Sequence, residues 1–529
     1  VRGWWVLAFV AGLFDVSAEA AEPYRRCHAS PRYDGCECRS YRRGVDQLVA
    51  PSVHPTNPEL CNVINLQTAF EYAVDAEGRG LRVVLQRGES YPLSAPLYDL
   101  RGGRVAGTIN DGVIRGQAHG QTWTSSGDGA YPKVVLPPFR GYDEHPPTRC
   151  DDPVRPERDA PGTRDLSLPS RYPKDCVRHP LHQMQIFDAG GHRVTIDHLE
   201  LDGGLDPACP PRMPPYDGWR RRFPRPALVE LGWSASSSGT SFHDNVVRNV
   251  AGWTALHLGE GPLDGAGRPA CRRVEVYNNT FTDLGWNLCD SDALTSARQC
   301  YWTDAVSMAC SGTIRDNAVK NPTDVGIVAF VGGVEIEGNE IVSDRSKAFA
   351  GIAAVDEFET ADGRWVANHD QTLVVSNTVR ADPGGAFDVG IAFGRWAWSC
   401  ESRARPTFAD SVVVSNRIDA GEGRINYGLA VTLADGVVVE GMRVGSSRTC
   451  GPSRCYEDFL PNTFRGRFGG SSPGLGCSGR PAGPPSPYVV NSCANCWLQE
   501  GYVRAEDYKV LLGGIAPENP PSCPVLRGE

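Results

Sequence analysis

Short alternations of apolar and polar residues recur through the middle of the chain, each closed by an Asn. Val274-Glu-Val276, Val334-Glu-Ile336, Leu373-Val-Val375 and Val412-Val-Val414 lead into Asn279, Asn339, Asn377 and Asn416, and Asn245 and Asn317 complete the set. Each Asn stands two residues before an apolar side chain. A second alternating run follows and opens on a small residue: Ala255-Leu-His-Leu258, Ala305-Val-Ser-Met308, Gly326-Ile-Val-Ala329, Gly351-Ile-Ala-Ala354, Gly390-Ile-Ala-Phe393 and Gly428-Leu-Ala-Val431. A period of two turns every other side chain toward a core, so these runs predict short strands. Val194-Thr-Ile196 and Val437-Val-Val439 carry the pattern outward, with Leu199 and Met442 where the Asn would fall.

Strands repeated at this spacing predict a β-solenoid. An Asn at one corner of every coil can bond the Asn and backbone above and below, which satisfies turn amides that would otherwise be buried unpaired. The Asn residues are 34, 38, 22, 38 and 39 apart. The shortest interval reads as a bare coil; the others carry insertions of roughly 12 to 17 residues. A Rossmann or TIM-type fold would need amphipathic helices repeated between the strands, and none appear in the repeat.

Upstream, Ile64-Asn-Leu-Gln-Thr-Ala-Phe-Glu-Tyr-Ala-Val74 has the pattern of an amphipathic helix, followed by Leu81-Arg-Val-Val-Leu85 and Tyr91-Pro-Leu-Ser-Ala-Pro-Leu97. With this beginning, residues 60–445 resemble the right-handed parallel β-helix proteins of the pectin-lyase-like superfamily. The resemblance implies an all-β, single-domain solenoid whose N-terminal end is capped by that helix. It covers polysaccharide lyases, polygalacturonase-type hydrolases, sugar epimerases and non-catalytic adhesins, so it specifies fold more than reaction. Thr195-Ile-Asp-His198 faintly echoes a pectate-lyase Trp-Ile-Asp-His segment, without the Trp or a following Arg-x-Pro-x-x-Arg. Of the polygalacturonase motifs only Arg424-Ile-Asn426 comes near one. No catalytic residue is carried over from either family.

Composition places the solenoid in a compartment. The 529 residues carry 18 Cys, 59 Gly, 41 Pro and a formal charge of -10, which argues against a broad nucleic-acid footprint. Arg2, the apolar run Trp4–Phe14 and Ala18-Glu-Ala20 form a secretory signal over residues 1–20, too short to span a bilayer. No later segment reaches a membrane-spanning length, so the chain is expected to be secreted, its cysteines forming up to nine disulfides. Cys493-x-x-Cys496 lacks partners for a zinc site. Residues 21–60 form a Cys-containing extension and residues 61–445 the β-helix, with insertions at 117–180, 205–226, 286–302, 356–370 and 395–410. Residues 446–529 make an irregular Cys/Gly/Pro-rich tail. The cysteines fall outside the bare coils and read as staples for the loops.

Insertions on both sides of one strand ladder would make walls, and the outer face of that ladder a cleft floor. Trp302, Trp365, Trp396 and Trp398 lie on those walls, where aromatic faces suit sugar rings. Aligning the strands places Glu230 beside His257, and Asp304 and Asp324, twenty residues apart, one bare coil from each other. Asp356, Glu357 and Arg395 stand at one rim. Paired carboxylates suit glycoside hydrolysis, with one as acid and one activating water. A lyase would instead use Ca²⁺ against a uronate carboxylate, with a base such as Arg395, Lys320 or His257. Against both stands a plain structural role, Asp304 and Asp324 bonding turn amides. The expected function is therefore a secreted enzyme cleaving a polysaccharide, hydrolase ahead of lyase, the hydrolase needing no cofactor. The alternative is a non-catalytic β-helix that binds glycan or serves as a surface protein. Glycan identity, disulfide pairing and oligomeric state are open at this level.

Overall fold

A computed structural model describes chiefly residues 82–93, 120–136, 185–189, 193–205, 227–231, 238–259, 271–285, 302–355, 367–394, 407–419, 422–431 and 437–444. Short strands at 42–43, 47–49, 97–98, 358–359, 365–366, 496–497 and 501–503 are described as well. The expected signal, most of the N-terminal extension and most of the tail lie outside these residues. So does the expected capping helix, except for Leu66, which is buried against the core.

The strands stack into three long sheets of 13, 11 and 9 strands, parallel throughout except at the ends of the first two. One coil visits the sheets in turn: Val274–Tyr277 in the first, Thr280–Leu284 in the second, Asp304–Met308 in the third, then Gly312–Arg315 in the first again. The chain is thus an all-β right-handed parallel β-helix. Each sheet lays down an apolar column. Ile196, Phe242, Val276, Ile314, Ile336, Val374, Val413 and Val439 stack along the first. Leu201, Val247, Phe281, Val319, Ile341, Val379 and Ile418 stack along the second. Val229, Leu256, Val306, Ile327, Ile352, Ile391 and Leu429 stack along the third. All are withdrawn from water, so each added coil extends one continuous core.

The Asn ladder forms at the corner between the first and second sheets. Asn317 Oδ1 accepts from the amide N and the Nδ2 of Asn279, at 3.0 and 2.9 Å. Asn339 does the same for Asn317, Asn377 for Asn339 and Asn416 for Asn377. The residue before each Asn has positive φ: Asp244, Asn278, Asp316, Gly338, Ser376 and Ser415, with His198 and Gly441 continuing the corner outward. Left-handed backbone favours Gly, Asn and Asp, so the dipeptide, more than the Asn alone, encodes the corner. At the C-terminal end Asn416 Nδ2 still donates to the Val374 and Val414 carbonyls, at 2.8 and 3.0 Å, but on the next coil it meets the Met442 sulfur, at 3.5 Å, in place of an Asn oxygen. Met442→Asn should supply a proper acceptor and raise stability by about 1 kcal/mol, measurable as a higher urea midpoint.

Small residues form a second ladder where the third-sheet strands begin. Gly326, Gly351, Gly390 and Gly428 lie in adjacent register, after Ala255 and Ala305. A Cβ at Gly390 would meet the Gly428 carbonyl oxygen at 2.5 Å and Ile418 Cγ2 at 2.7 Å, and one at Gly326 would meet the Gly351 oxygen at 2.4 Å. The second-sheet Ile and Val side chains fill the space these residues vacate.

Cys271 and Cys310 are disulfide-bonded, with Cα atoms 5.1 Å apart. The bond does not staple an insertion to the body. It joins successive coils just where Val274 pairs with Gly312. Gly259 makes room for it, since a Cβ there would lie 2.3 and 2.8 Å from the two sulfurs. Among the described residues no helix is long and apolar enough to cross a membrane.

Candidate functional site

The expected cleft floor is the outward row of the third sheet. Glu230 and His257 are register partners, His257 pairs with Ser307, Ser307 with Val328, Val328 with Ala353 and Ala353 with Ala392. Glu230 and His257 therefore stand on neighbouring coils, one strand spacing apart. The row is not open to solvent: from Glu230 to Ala392 its members are 0 to 5 % exposed. Glu230 Oε2 accepts from Gln185 Nε2 at 3.4 Å. The His257 ring packs 4.9 Å from Trp253 and 6.1 Å from Phe330, whose own rings lie 6.3 Å apart. Trp253 and Phe330 are partly exposed, so the surface beside the buried His257 is aromatic. Trp302, also partly exposed, begins the next coil, where the Asp304 amide donates to the Trp253 carbonyl at 3.0 Å.

The two aspartates are placed differently from each other. The bare coil is 21 residues long on this sheet, with Val306 opposite Ile327 and Ser307 opposite Val328. That register puts Asp304 against Val325 and Asp324 against Thr303, one residue out of step. Asp304 is 6 % exposed. Its Oδ1 accepts from the Val325 amide at 2.9 Å and its Oδ2 from the Ser307 hydroxyl at 3.0 Å. Ser307 lies 3.0 Å from the Thr254 hydroxyl in turn, so a side-chain network crosses three coils. Asp324 is partly exposed, and its amide donates to the Thr303 carbonyl at 3.2 Å. The structure thus brings Glu230 and His257 together, ties Asp304 to the next coil and leaves Asp324 at the strand's mouth.

Asp356, Glu357, Arg395, Trp396 and Trp398 lie outside the described residues. Trp365 is described only as backbone, in the antiparallel pair Phe358–Glu359 with Trp365–Val366. Among the described residues no three His, Cys, Asp or Glu side chains are grouped to hold a metal. The Ca²⁺ of the lyase reading finds no ligand set among them.

Residue spacing did not single out Trp253 or Phe330, although both directly flank strands of the repeat. It also passed over a polar row on the outer face of the first sheet, where Asp197, His243, Tyr277, Arg315 and Glu337 are in register. His198 and His243 direct Nδ1 to Asp197 and Asp244, at 2.7 and 2.8 Å. Tyr277 stacks on His243 at 4.5 Å, and the Arg315 guanidinium lies 4.5 Å over Tyr277. Burial, reinforced by the charges of Asp244 and Glu275, holds the Tyr277 hydroxyl above its usual pKa. The Thr195–His198 segment is thus a corner of this face, with Asp197 accepting from the Thr124 hydroxyl.

No protein-family model matches the sequence, and no curated protein matches it. Two solved structures are similar to the chain at low identity. The Streptococcus pneumoniae surface protein and adhesin PfbA shares 12 % identity, with a TM-score of 0.38 over 72 % of this chain and 93 % of that one. The A-module of Azotobacter vinelandii mannuronan C-5 epimerase AlgE6 shares 11 %, with a TM-score of 0.30 over 73 % and 96 %.

Proposed function

We propose that the chain is an exported, non-catalytic β-helix that binds a glycan over the third sheet, with Trp253 and Phe330 as its stacking surface. The observation that carries this reading is the commitment of the ladder carboxylate Asp304. Both of its oxygens serve hydrogen bonds inside the fold, leaving it without the role an acid or water-activating base would need. The aromatic cover supports binding, because the C–H faces of sugar rings stack on such surfaces. Export is supported by the N-terminal apolar run and by the Cys271–Cys310 disulfide.

A second reading, glycan cleavage, rests on the adjacency of Glu230 and His257 on neighbouring coils. In it Glu230 and His257 exchange protons with the scissile bond, Asp304 and Asp324 supply the carboxylate pair, and Trp302, Trp365, Trp396, Trp398, Asp356, Glu357 and Arg395 hold the polysaccharide. Hydrolysis remains ahead of elimination.

Incubation with a glycan panel separates the two. Binding predicts retention on one immobilised glycan with neither new reducing ends nor unsaturated-product absorbance, with or without EDTA. Trp253→Ala and Phe330→Ala should each weaken retention at least about tenfold. Asp304→Asn should leave retention intact. Release of reducing ends, abolished by Asp304→Asn or Glu230→Gln, would overturn the binding reading in favour of a hydrolase.

A further inference from the structure

One Asn-x-Ser/Thr tripeptide with a middle residue other than Pro stands in the 529 residues, Asn278-Asn-Thr280. Asn321-Pro-Thr323 has the same spacing, and its Pro excludes it as a glycan acceptor. The motif overlaps the ladder residue Asn279, so its meaning depends on which of the two asparagines faces water.

The structure separates them. Asn279 is 1 % exposed. Its Nδ2 donates to the Phe242 and Tyr277 carbonyls and to Asn317 Oδ1, at 2.9, 3.0 and 2.9 Å. Its Oδ1 accepts from the amide N and Nδ2 of Asn245, at 3.0 and 3.2 Å. A sugar on that nitrogen would displace these bonds and break the corner. Asn278, one residue earlier, is exposed, and so is Thr280. Asn278 has a φ of 55°, and left-handed backbone favours Asn, Asp and Gly there. That preference accounts for the amide but not for a hydroxyl two residues on. Thr280 pairs with Val246 and Ala318 on the coils before and after, and neither carries one.

We propose that Asn278 is the acceptor of an N-linked glycan, added as the chain enters a eukaryotic secretory pathway; this rests on the export reading above. The donor is a glycan carried on a polyprenyl diphosphate. The bond from sugar C1 to the diphosphate oxygen breaks and a bond from C1 to Asn278 Nδ2 forms. Nδ2 loses one proton, and the polyprenyl diphosphate leaves. The fold accommodates the product. On the neighbouring coils, about 5 Å away, the positions matching Asn278 are the short side chains Asp244 and Asp316. Asn279 still closes the ladder behind the sugar. The third sheet forms the wall opposite this corner, so the glycan leaves the Trp253–Phe330 surface uncovered.

The full chain is produced in eukaryotic secretory cells, once with residues 1–20 as they stand and once with a host signal in their place. A glycoamidase acting in heavy-oxygen water turns a glycan-bearing Asn into isotope-labelled Asp. Wild type should lose apparent mass on this treatment and carry the label at position 278, in the tryptic peptide Val274–Arg298. Asn278→Asp and Thr280→Ala should each abolish both the mass change and the label, and Thr280→Ser should keep them. Asp and Ala already occupy these positions on neighbouring coils, at Asp244, Asp316 and Ala318, so their loss of label reads the acceptor site and not the fold. An unlabelled Asn278 in chain secreted from the host signal would overturn the proposal. So would a label that persists in Thr280→Ala. Label obtained with the host signal but not with residues 1–20 would uphold the acceptor site and sink the export reading instead.

Discussion

Asn317→Ala should destabilise the solenoid by about 3–5 kcal/mol, read as a fall in the urea or thermal midpoint. The side chain is 2 % exposed and makes five hydrogen bonds. Its Oδ1 serves the amide and Nδ2 of Asn279, while its Nδ2 serves the carbonyls of Val276 and Arg315 and the Oδ1 of Asn339. Truncation strands donors on one coil and acceptors on another, and the core beside them is too dry to replace the partners. An unsatisfied buried group costs about 1–3 kcal/mol, so the total exceeds what one lost bond would give. Glu275→Ala, on an exposed position of a nearby coil, should change stability by no more than about 0.5 kcal/mol. A change at Asn317 of similar size to this control would show that the ladder is ornamental to stability.

Gly390→Ala should cost about 2–4 kcal/mol although it adds a single methyl group. The added Cβ would collide with a backbone oxygen of the next coil and with a core methyl, at 2.5 and 2.7 Å. Ile418→Val removes only Cδ1, which would lie 3.0 Å from the added Cβ, and leaves Cγ2 and the carbonyl oxygen in place, so the double variant should recover less than half of the loss. Full recovery would mean that the carbonyl of Gly428 yields freely, contrary to the close stacking of the coils.

The repeat was legible because its signals are local. An Asn before an apolar residue and a small residue at each third-sheet strand start are visible in a single coil, and stacking then follows from parallel pairing. The left-handed residue is of a type that tolerates positive φ before four of the six Asn, at Asp244, Asn278, Asp316 and Gly338, but is Ser at 376 and 415. Other features depended on register at the level of one residue. A spacing of twenty suggested that Asp304 and Asp324 stack, but the third-sheet coil is 21 long, and this step carries Asp324 past Asp304 to Thr303. The burial of the outward row was hidden for a different reason. Alternation says which way His257 points, but not that Trp253 and Phe330 cover it. Nor could cysteine position alone show that Cys271 and Cys310 bridge two coils, because the sulfurs meet only once the coils are stacked.

The interval from Asn317 to Asn339 also makes the molecule a ruler with a removable unit. Ala318 pairs with Glu340 and Val319 with Ile341, so excising residues 318–339 joins Asn317 directly to Glu340 with every column in phase. Asn317 would then hand its hydrogen bonds to Asn377, as Asn339 does now. The rod would shorten by one rung, about 5 Å, with the same kinds of contact at the new seam. Length in this protein can change in whole steps without a new fold being invented.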